Sequence, residues 1–378
     1  MRESRVRCLL RLTKYWGWFV ILSNHPRVHL KRREKAIMLK VGISGIGFMG
    51  MIHYLAYQRI EGVKVAALCE TFAKERLAGD WTKIKGNFGP AGTQMDLSGI
   101  ATYDKYDAML ADPELDIIDV CLHPQKHAEA TIAALEAGKK VFCEKPIALK
   151  PEEGVAMVAA AQKNGQMLCI GHVLPFFASH NYIFEAKRSG QFGKLLGGNF
   201  VRVISDPVWL PNFYNMETCG GPMLDLHVHD AHFIRAMFGM PKKVQAVGRC
   251  RGDVPEYFNT QFLYDDPNLV VTATSGCIMQ QGRPFTHGYE VHFEDATVLC
   301  ETFTNTPVTV LHKDGTVETP DLGAGDDVTP FVNELTEARN AFLSGKPSEL
   351  LDGELARDAL ILCYKEIDAI RSREQVTL

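Results

Sequence analysis

The sequence predicts an α/β protein of two domains. Residues 38–170 form a doubly wound parallel sheet, and residues 171–378 form an α+β domain with a large, mainly antiparallel open sheet. Three observations carry this. Up to position 170, short apolar runs alternate with helical stretches of about a dozen residues, the pattern of parallel βαβ units. Beyond it, strand-like runs follow one another across short turns, the pattern of an antiparallel sheet. The 378 residues suffice for two domains at roughly 100–200 residues each.

Composition narrows the class. Apolar residues make up 46% and charged residues 23%, which fits a globular chain and argues against global disorder. The net charge of −4 argues against a nucleic-acid partner. The ten cysteines are scattered with no CxxC pair, as expected of reduced thiols in a cytoplasmic enzyme. Residues 1–35 carry ten Lys/Arg against two Asp/Glu, so the remainder of the chain is strongly acidic. The apolar run at 15–22 is far shorter than the about 20 residues of a membrane span. Ser23-Asn24-His25-Pro26 is a poor signal-cleavage site. The folded protein is therefore expected to begin near Met38, with residues 1–37 an extension outside the fold and no membrane partner.

The first element is a buried strand, Leu39–Ser44, followed by Gly45, Gly47 and Gly50 in GxGxxG spacing. The intervening Ile46, Phe48 and Met49 belong to the same loop. Met51, Ile52, Leu55 and Ile60 then repeat at helical spacing up to Gly62. Gly45 permits the tight turn, Gly47 lets the backbone approach a pyrophosphate, and Gly50 packs helix on strand. The helix start offers free N–H groups to the phosphates. Glu70 ends the second strand, Val63–Cys69, at about the spacing where a carboxylate accepts from both ribose hydroxyls and repels a 2′-phosphate. This is the Rossmann dinucleotide fingerprint, and it favours NAD over NADP, although Lys74 and Arg76 stand nearby.

Residues 116–122 read as a further strand, with His123, Pro124 and Gln125 in the loop at its carboxyl end, where ligands sit in open α/β sheets. A helix over 126–137 stops at Gly138. Residues 140–143 form a strand leading into Glu144-Lys145-Pro146. Pro151–Asn164 is a helix and 167–170 a last strand. Lys145 precedes a proline, which holds it in extended or turn geometry at the carboxyl edge of the sheet. An ammonium there suits a developing alkoxide.

In the second domain a helix over 179–189 precedes strands over 195–204, 243–251, 258–264, 269–275, 289–293, 297–303 and 307–312. Closing helices are expected over 327–344 and 353–373. Helices cover one face of such a sheet, and association of subunits into a homodimer or homotetramer would cover the other. Pro222 and Gly239 bound a helix on which Asp225, His229 and His232 share one face, with His227 roughly opposite. The imidazole of His229 titrates near neutrality, which suits a general base. A metal held by this His/Asp group is the competing reading of the pattern. Hydride transfer requires none if Lys145 polarises the oxygen, so no metal is expected.

The GxGxxG at 45–50, the acid at Glu70, the loop from Pro124 to His127, and Ala134-Leu135-Glu136-Ala137-Gly138-Lys139-Lys140-Val141 running into Glu144-Lys145-Pro146 together resemble the glucose–fructose oxidoreductase, inositol dehydrogenase and rhizopine-catabolism (Gfo/Idh/MocA) oxidoreductases. The resemblance extends over roughly residues 38–375 and includes Gly-Gly-x-x-x-Asp-x-x-x-His at 220–229. It implies NAD as cofactor, with His127 and Glu144 added to the cofactor loops. It implies Lys145, Asp225 and His229 as the catalytic set, and His172, Phe176 and His232 at the substrate. Trp209, which precedes the catalytic helix, is read from its position alone as a residue that stacks on a sugar face or else makes a core or subunit contact. His232 stands where many relatives have an acid, and Pro175 where many have arginine.

The activity implied is oxidation of a ring hydroxyl of a sugar, sugar derivative or inositol-like polyol. His229 would remove the hydroxyl proton, Lys145 steady the oxygen, Asp225 fix the ring, and hydride pass to the nicotinamide. Two other readings stay open: glycosidic cleavage through transient sugar oxidation, and a non-catalytic dinucleotide-binding regulator. The Thr-His-Gly signature associated with the former is absent from the catalytic helix, and the presence of Lys145, Asp225 and His229 counts against the latter.

Overall fold

Two sheets organise the molecule. The computed structural model describes residues 38–378; the expected extension over 1–37, with its apolar run, lies outside the described residues. The first sheet is built along the chain as β1 (Leu39–Ser44), α1 (Phe48–Tyr57), β2 (Val63–Cys69), β3 (Ala101–Tyr103), α2 (Tyr106–Leu110), β4 (Ile117–Val120), α3 (His127–Glu136), β5 (Lys140–Glu144), α4 (Pro151–Asn164) and β6 (Leu168–Gly171). Its order is β3-β2-β1-β4-β5-β6, all parallel. This doubly wound order reverses direction between β1 and β4, and ligands bind at such a switch point. Every residue of β4 and β6 is buried, which is why these strands read as apolar runs, interrupted in β4 by Asp119 alone. The edge strand β3 and the short α2 add to the expected elements. The three residues of β3 are exposed or half-buried and leave no apolar run to find.

The second part continues as α5 (Ala178–Ser189), β7 (Leu195–Ser205), α6 (Val228–Phe238), β8 (Lys243–Arg251), β9 (Val254–Leu263), β10 (Val270–Ile278), β11 (Thr286–Phe293), β12 (Ala296–Glu301), β13 (Thr306–His312), β14 (Val317–Glu318), α7 (Thr329–Ser344), α8 (Gly353–Ser372) and β15 (Val376–Thr377). Nine strands form one sheet in the order β14-β13-β12-β11-β7-β10-β9-β8-β15. The pair β7–β10 is parallel and every other pair antiparallel. The two-residue edge strands β14 and β15 are too short for a pattern in the sequence.

The last two helices join the parts. α8 buries Ala356, Ala359, Leu360, Cys363 and Ile367, spaced by three or four, and packs on α6 and β8 as well as on α4. α7 packs on α1, and its Phe331 stacks, with ring centroids 5.5 Å apart, on Phe88, which meets Phe48 at the start of α1 edge-on. The start of α1 is thus held from both parts of the chain.

One expected element is corrected. The helix over 222–239 is not a single α-helix: Met223–His227 form a π-helical turn before α6 begins. A π turn inserts a residue and re-aims the side chains around it. Asp225 lies in this turn and His229 and His232 on α6 after it.

Candidate active site

A crevice of about 850 Å³ opens at the carboxyl ends of β1 and β4, within the roughly 300–1,000 Å³ usual for cofactor sites. Its floor is the glycine turn. Gly45 has φ +90°, and a Cβ on Gly50 would stand 2.1 Å from the Gly45 carbonyl oxygen. At Gly47 an added Cβ would meet nothing within 4 Å, because that position faces open space. The first helical bond of α1 runs from Met51 N–H to Gly47 O at 3.0 Å. The amides before it have no partner within the helix and are available to an anion.

Glu70 closes one end, accepting from the amides of Ile46 (3.1 Å), Phe72 (3.0 Å) and Ala73 (3.2 Å). Its carboxylate is thereby held at the end of β2 with the crevice before it. Arg76 donates to Ile46 O at 2.8 Å and lies 3.9 Å from Glu70. The Phe72 ring beside it is almost fully exposed. A cradle that excludes any side chain at Gly50, free helix-start amides and an acid at ribose distance along the strand fit an adenine dinucleotide.

The remaining sequence-derived cofactor residues divide. Phe48, Met49, His123, Pro124, Glu144 and Lys145 line the crevice. The Ile46 side chain is buried in the core and acts through its amide. Gln125 points elsewhere, donating to Glu217 O at 2.7 Å. His127 is buried between two carbonyls, Pro146 O (2.8 Å) and Leu122 O (3.0 Å), where it braces the turn after Lys145 and does not face the crevice.

At the end opposite Glu70, Lys145 reaches across to the π turn. Its Nζ donates to Asp225 O at 2.8 Å and to Asp225 Oδ1 at 3.2 Å, and both residues line the crevice. His229 lies one turn further on, with its Nδ1 enclosed and unpartnered. Burial pushes the His229 imidazole well below its ordinary value, and the charges of Lys145 and Arg202 push the same way. The ring is therefore neutral.

His172 stacks on His232 with centroids 3.9 Å apart and planes 7° apart, and meets His229 edge-on at 5.8 Å. Both stacked rings are held neutral, His232 lowered to about 3 by its burial. His227 is committed to the core, 2.8 Å from Ser275 Oγ and 2.9 Å from the Glu366 carboxylate, and does not converge with the other two. Phe176 is buried in the core, while Trp209 sits exposed in the 207–218 loop. The structure thus brings Lys145, Asp225, His229, His172 and His232 into one region, while Phe176 faces the core and Trp209 faces solvent.

Sequence reasoning missed Tyr106 and Cys121 in the crevice wall and gave Arg76 only a passing role. It also missed a buried group behind the wall, His53, Asp119 and Glu144. The ligand-type atoms of His53, Asp119 and Cys121 lie within 4.8 Å of one another. An acid inside the apolar β4 run was the available signal, since buried carboxylates require partners. Among the described residues no helix is long and apolar enough to cross a membrane.

A nucleotide crevice at the switch point, joined to a polar cluster from a second sheet, defines an NAD-binding oxidoreductase of Rossmann type. Residues 39–172 match the oxidoreductase family model with NAD-binding Rossmann fold, and residues 181–299 match the GFO/IDH/MocA C-terminal domain; the chain belongs to this family. It is 29% identical over 201 residues to 1,5-anhydro-D-fructose reductase of Ensifer adhaerens, covering 51% of this chain and 59% of that protein. It is 30% identical over 162 residues to inositol 2-dehydrogenase of Salmonella typhimurium, covering 42% and 44%. These matches span about half the length of those relatives. A levoglucosan dehydrogenase solved with NADH and L-sorbose superposes with a TM-score of 0.76 at 18% identity, over 90% of this chain and 99% of that one.

Proposed function

We propose that the protein oxidises a ring hydroxyl of an uncharged sugar, sugar derivative or inositol-like polyol, with NAD as acceptor. The observation that carries this reading is the bond from Lys145 Nζ to Asp225 across the crevice, at the end away from Glu70. NAD, when bound, supplies the two-electron acceptor for the carbinol hydrogen. Glu70 and the α1 amides would hold the dinucleotide, Glu70 serving the adenosine ribose and the amides the phosphates. Lys145 turns from Asp225 toward the substrate oxygen and stabilises the charge that develops there. His229 takes the hydroxyl proton at Nε2, the nitrogen that is not enclosed. Its lowered basicity keeps the ring unprotonated and ready to accept. Asp225 orients a neighbouring hydroxyl. The reverse reduction uses the same groups.

The charges favour a neutral substrate. Lys145 is matched by Asp225, Arg202 is bonded to Asp230 at 2.7 and 3.1 Å, and His172, His229 and His232 are neutral. Among the described residues of this cluster no unpaired cation is left for a phosphate. The relatives' names, an anhydrofructose reductase and an inositol dehydrogenase, agree in substrate class. Cytoplasmic residence belongs to the same reading, supported by nine cysteines that are all free among the described residues. So does self-association through the large sheet, whose strands leave Leu196, Val247, Tyr257 and Val270 exposed.

The test is a panel of unphosphorylated sugars and polyols with NAD, read by absorbance of reduced cofactor and by product analysis. Net cofactor reduction with a ketone product is expected. Turnover of a glycoside to cleaved sugar without net reduction would replace this reading with transient oxidation. Dinucleotide binding with no turnover across the panel would point to a regulator.

A further inference from the structure

We infer that His53 is a positioning residue for Lys145, acting through Glu144. The inference rests on the role proposed above for Lys145. His53 lies on α1 and is completely buried. Its Nδ1 stands 2.9 Å from Asp119 Oδ2 on β4, and its Nε2 stands 2.9 Å from Glu144 Oε1 at the end of β5. The other oxygen of that carboxylate, Glu144 Oε2, accepts the backbone N–H of Lys145 at 3.1 Å. A continuous path therefore runs Asp119–His53–Glu144–Lys145, ending on the main chain of the residue whose ammonium crosses the crevice.

Ionised carboxylates only accept hydrogen bonds. Burial opposes a charge on His53, but Asp119 outweighs it and raises the imidazole well above its ordinary value. The ring is therefore a cation whose Nδ1 is hydrogen-bonded to Asp119 and whose Nε2 meets Glu144 in an ion-pair contact outside hydrogen-bond alignment. The ion pair at Oε1 and the Lys145 N–H at Oε2 together hold the Glu144 carboxylate between α1 and the end of β5. Around this bridge stand Cys121, 3.2 Å from His53 Nδ1, and the buried Glu334 of α7, whose carboxyl oxygens have no partner among the described residues. Burial and the nearby Glu144 raise Glu334 well above the usual carboxyl range, which leaves it neutral and leaves His53 as the cation facing Glu144.

The location gives the bridge its consequence. α1 begins at Phe48, directly after the glycine turn, and its first amides face the crevice. The same helix carries His53 one turn further on. A single side chain thus ties the helix that receives the dinucleotide to the strand end that presents the lysine. In this arrangement the lysine main chain is set by α1, and a shift of one is transmitted to the other.

The experiment separates the two nitrogens. In His53→Gln the side-chain amide nitrogen falls near the Nε2 position and keeps a donor to Glu144. In His53→Asn it falls near Nδ1 and keeps a donor to Asp119 only. Full-length variants are compared for kcat and KM on whichever panel member turns over, for NAD binding by fluorescence, and for hydrogen exchange of the peptide spanning 140–150 without cofactor. Expected are a kcat within about threefold of the parent for His53→Gln, and a ten- to hundredfold loss with faster exchange at 144–145 for His53→Asn. NAD binding should be unchanged within about threefold in both. The double variant His53→Asn/Lys145→Met should be no slower than Lys145→Met alone.

Equal behaviour of the Gln and Asn variants, or additive losses in the double variant, would overturn the positioning role while leaving the Lys145 reading intact. Full turnover in Lys145→Met would instead defeat the reading beneath it. Should both His53 variants fail to fold, Glu144→Ala carries the test. It must speed exchange at Lys145 and lower kcat, and unchanged exchange there would overturn the inference.

Discussion

The ammonium of Lys145 stands 3.2 Å from the carboxylate of Asp225 and 2.8 Å from its carbonyl oxygen, so a strand end of the first sheet is bonded to a π turn that leads to the second. The pair closes the crevice at the end opposite Glu70. Replacing Lys145 by Met should lower kcat by roughly 10²–10³-fold, the usual loss on removing one preorganised charge from a developing oxyanion. NAD affinity should stay within about threefold. Stopped-flow turnover and a fluorescence titration give the two numbers, and a change confined to NAD affinity would contradict the assignment.

The depressed basicity of His229 has a kinetic signature. An ordinary imidazole base loses its function as pH falls through about 6.5. In this site burial and the Lys145 and Arg202 charges keep the ring unprotonated well below that value. In the oxidative direction kcat/KM is therefore expected to stay flat as pH falls through about 6.5 and to decline only at lower pH. In His229→Asn the rate should drop by roughly 10²–10⁴-fold, the usual contribution of a general base.

Glu70 sets cofactor choice. Its carboxylate accepts three amides and faces the ribose end of the crevice, with Arg76 beside it. Glu70→Ser should weaken NAD binding by about tenfold or more and narrow or reverse the preference over NADP, because the guanidinium is then free to meet a 2′-phosphate. The double variant Glu70→Ser/Arg76→Ala should lose the NADP gain. Paired titrations with both dinucleotides decide this.

Acid stability follows from the histidines. His127, His172, His180 and His229 are pushed down by burial, His232 to about 3 and His287 to about 4. Below about 6.5 the unfolded chain binds protons at these rings that the folded chain does not, so stability is full above that pH and falls as pH drops through it. Each ring contributes up to about 1.4 kcal/mol per pH unit in that window. At His53 and His227 burial opposes the charge, but carboxylates outweigh it and shift both rings upward, Asp119 for the first and Glu366 for the second. Their stabilisation is full below about 6.5 and is lost as pH rises through their raised values, which partly offsets the slope. Calorimetry should show the melting temperature falling between about pH 7 and pH 5. In His232→Phe the fall should be shallower.

Much of the nucleotide half is legible in the sequence. β1 and β2 have the expected bounds, and the glycines and Glu70 stand where the spacing puts them. These signals are local: strand, turn, helix and acid follow within about 30 residues, and each leaves an apolar or glycine pattern. The helix that carries His229 is legible too, but its first turn is not. Nothing in Met223–His227 distinguishes a π turn from an α turn, since the extra residue is accommodated by tertiary contacts such as Lys145 to Asp225 O. His127 has the position of a cofactor residue because it follows a ligand-bearing loop, yet two carbonyls claim its ring.

The sequence by itself determined the parallel nucleotide sheet, its dinucleotide turn, and the residue types available for proton and hydride chemistry. Only the tertiary structure decided which of them meet. Lys145 and Asp225 are 80 residues apart and His53 and Asp119 are 66 apart, and the stacked His172 and His232 come from a crossover loop and a helix. Such pairs depend on the packing of whole elements, because the position of a side chain across a crevice is set by the sheets and helices beneath it. No pattern of neighbouring residues records that distance.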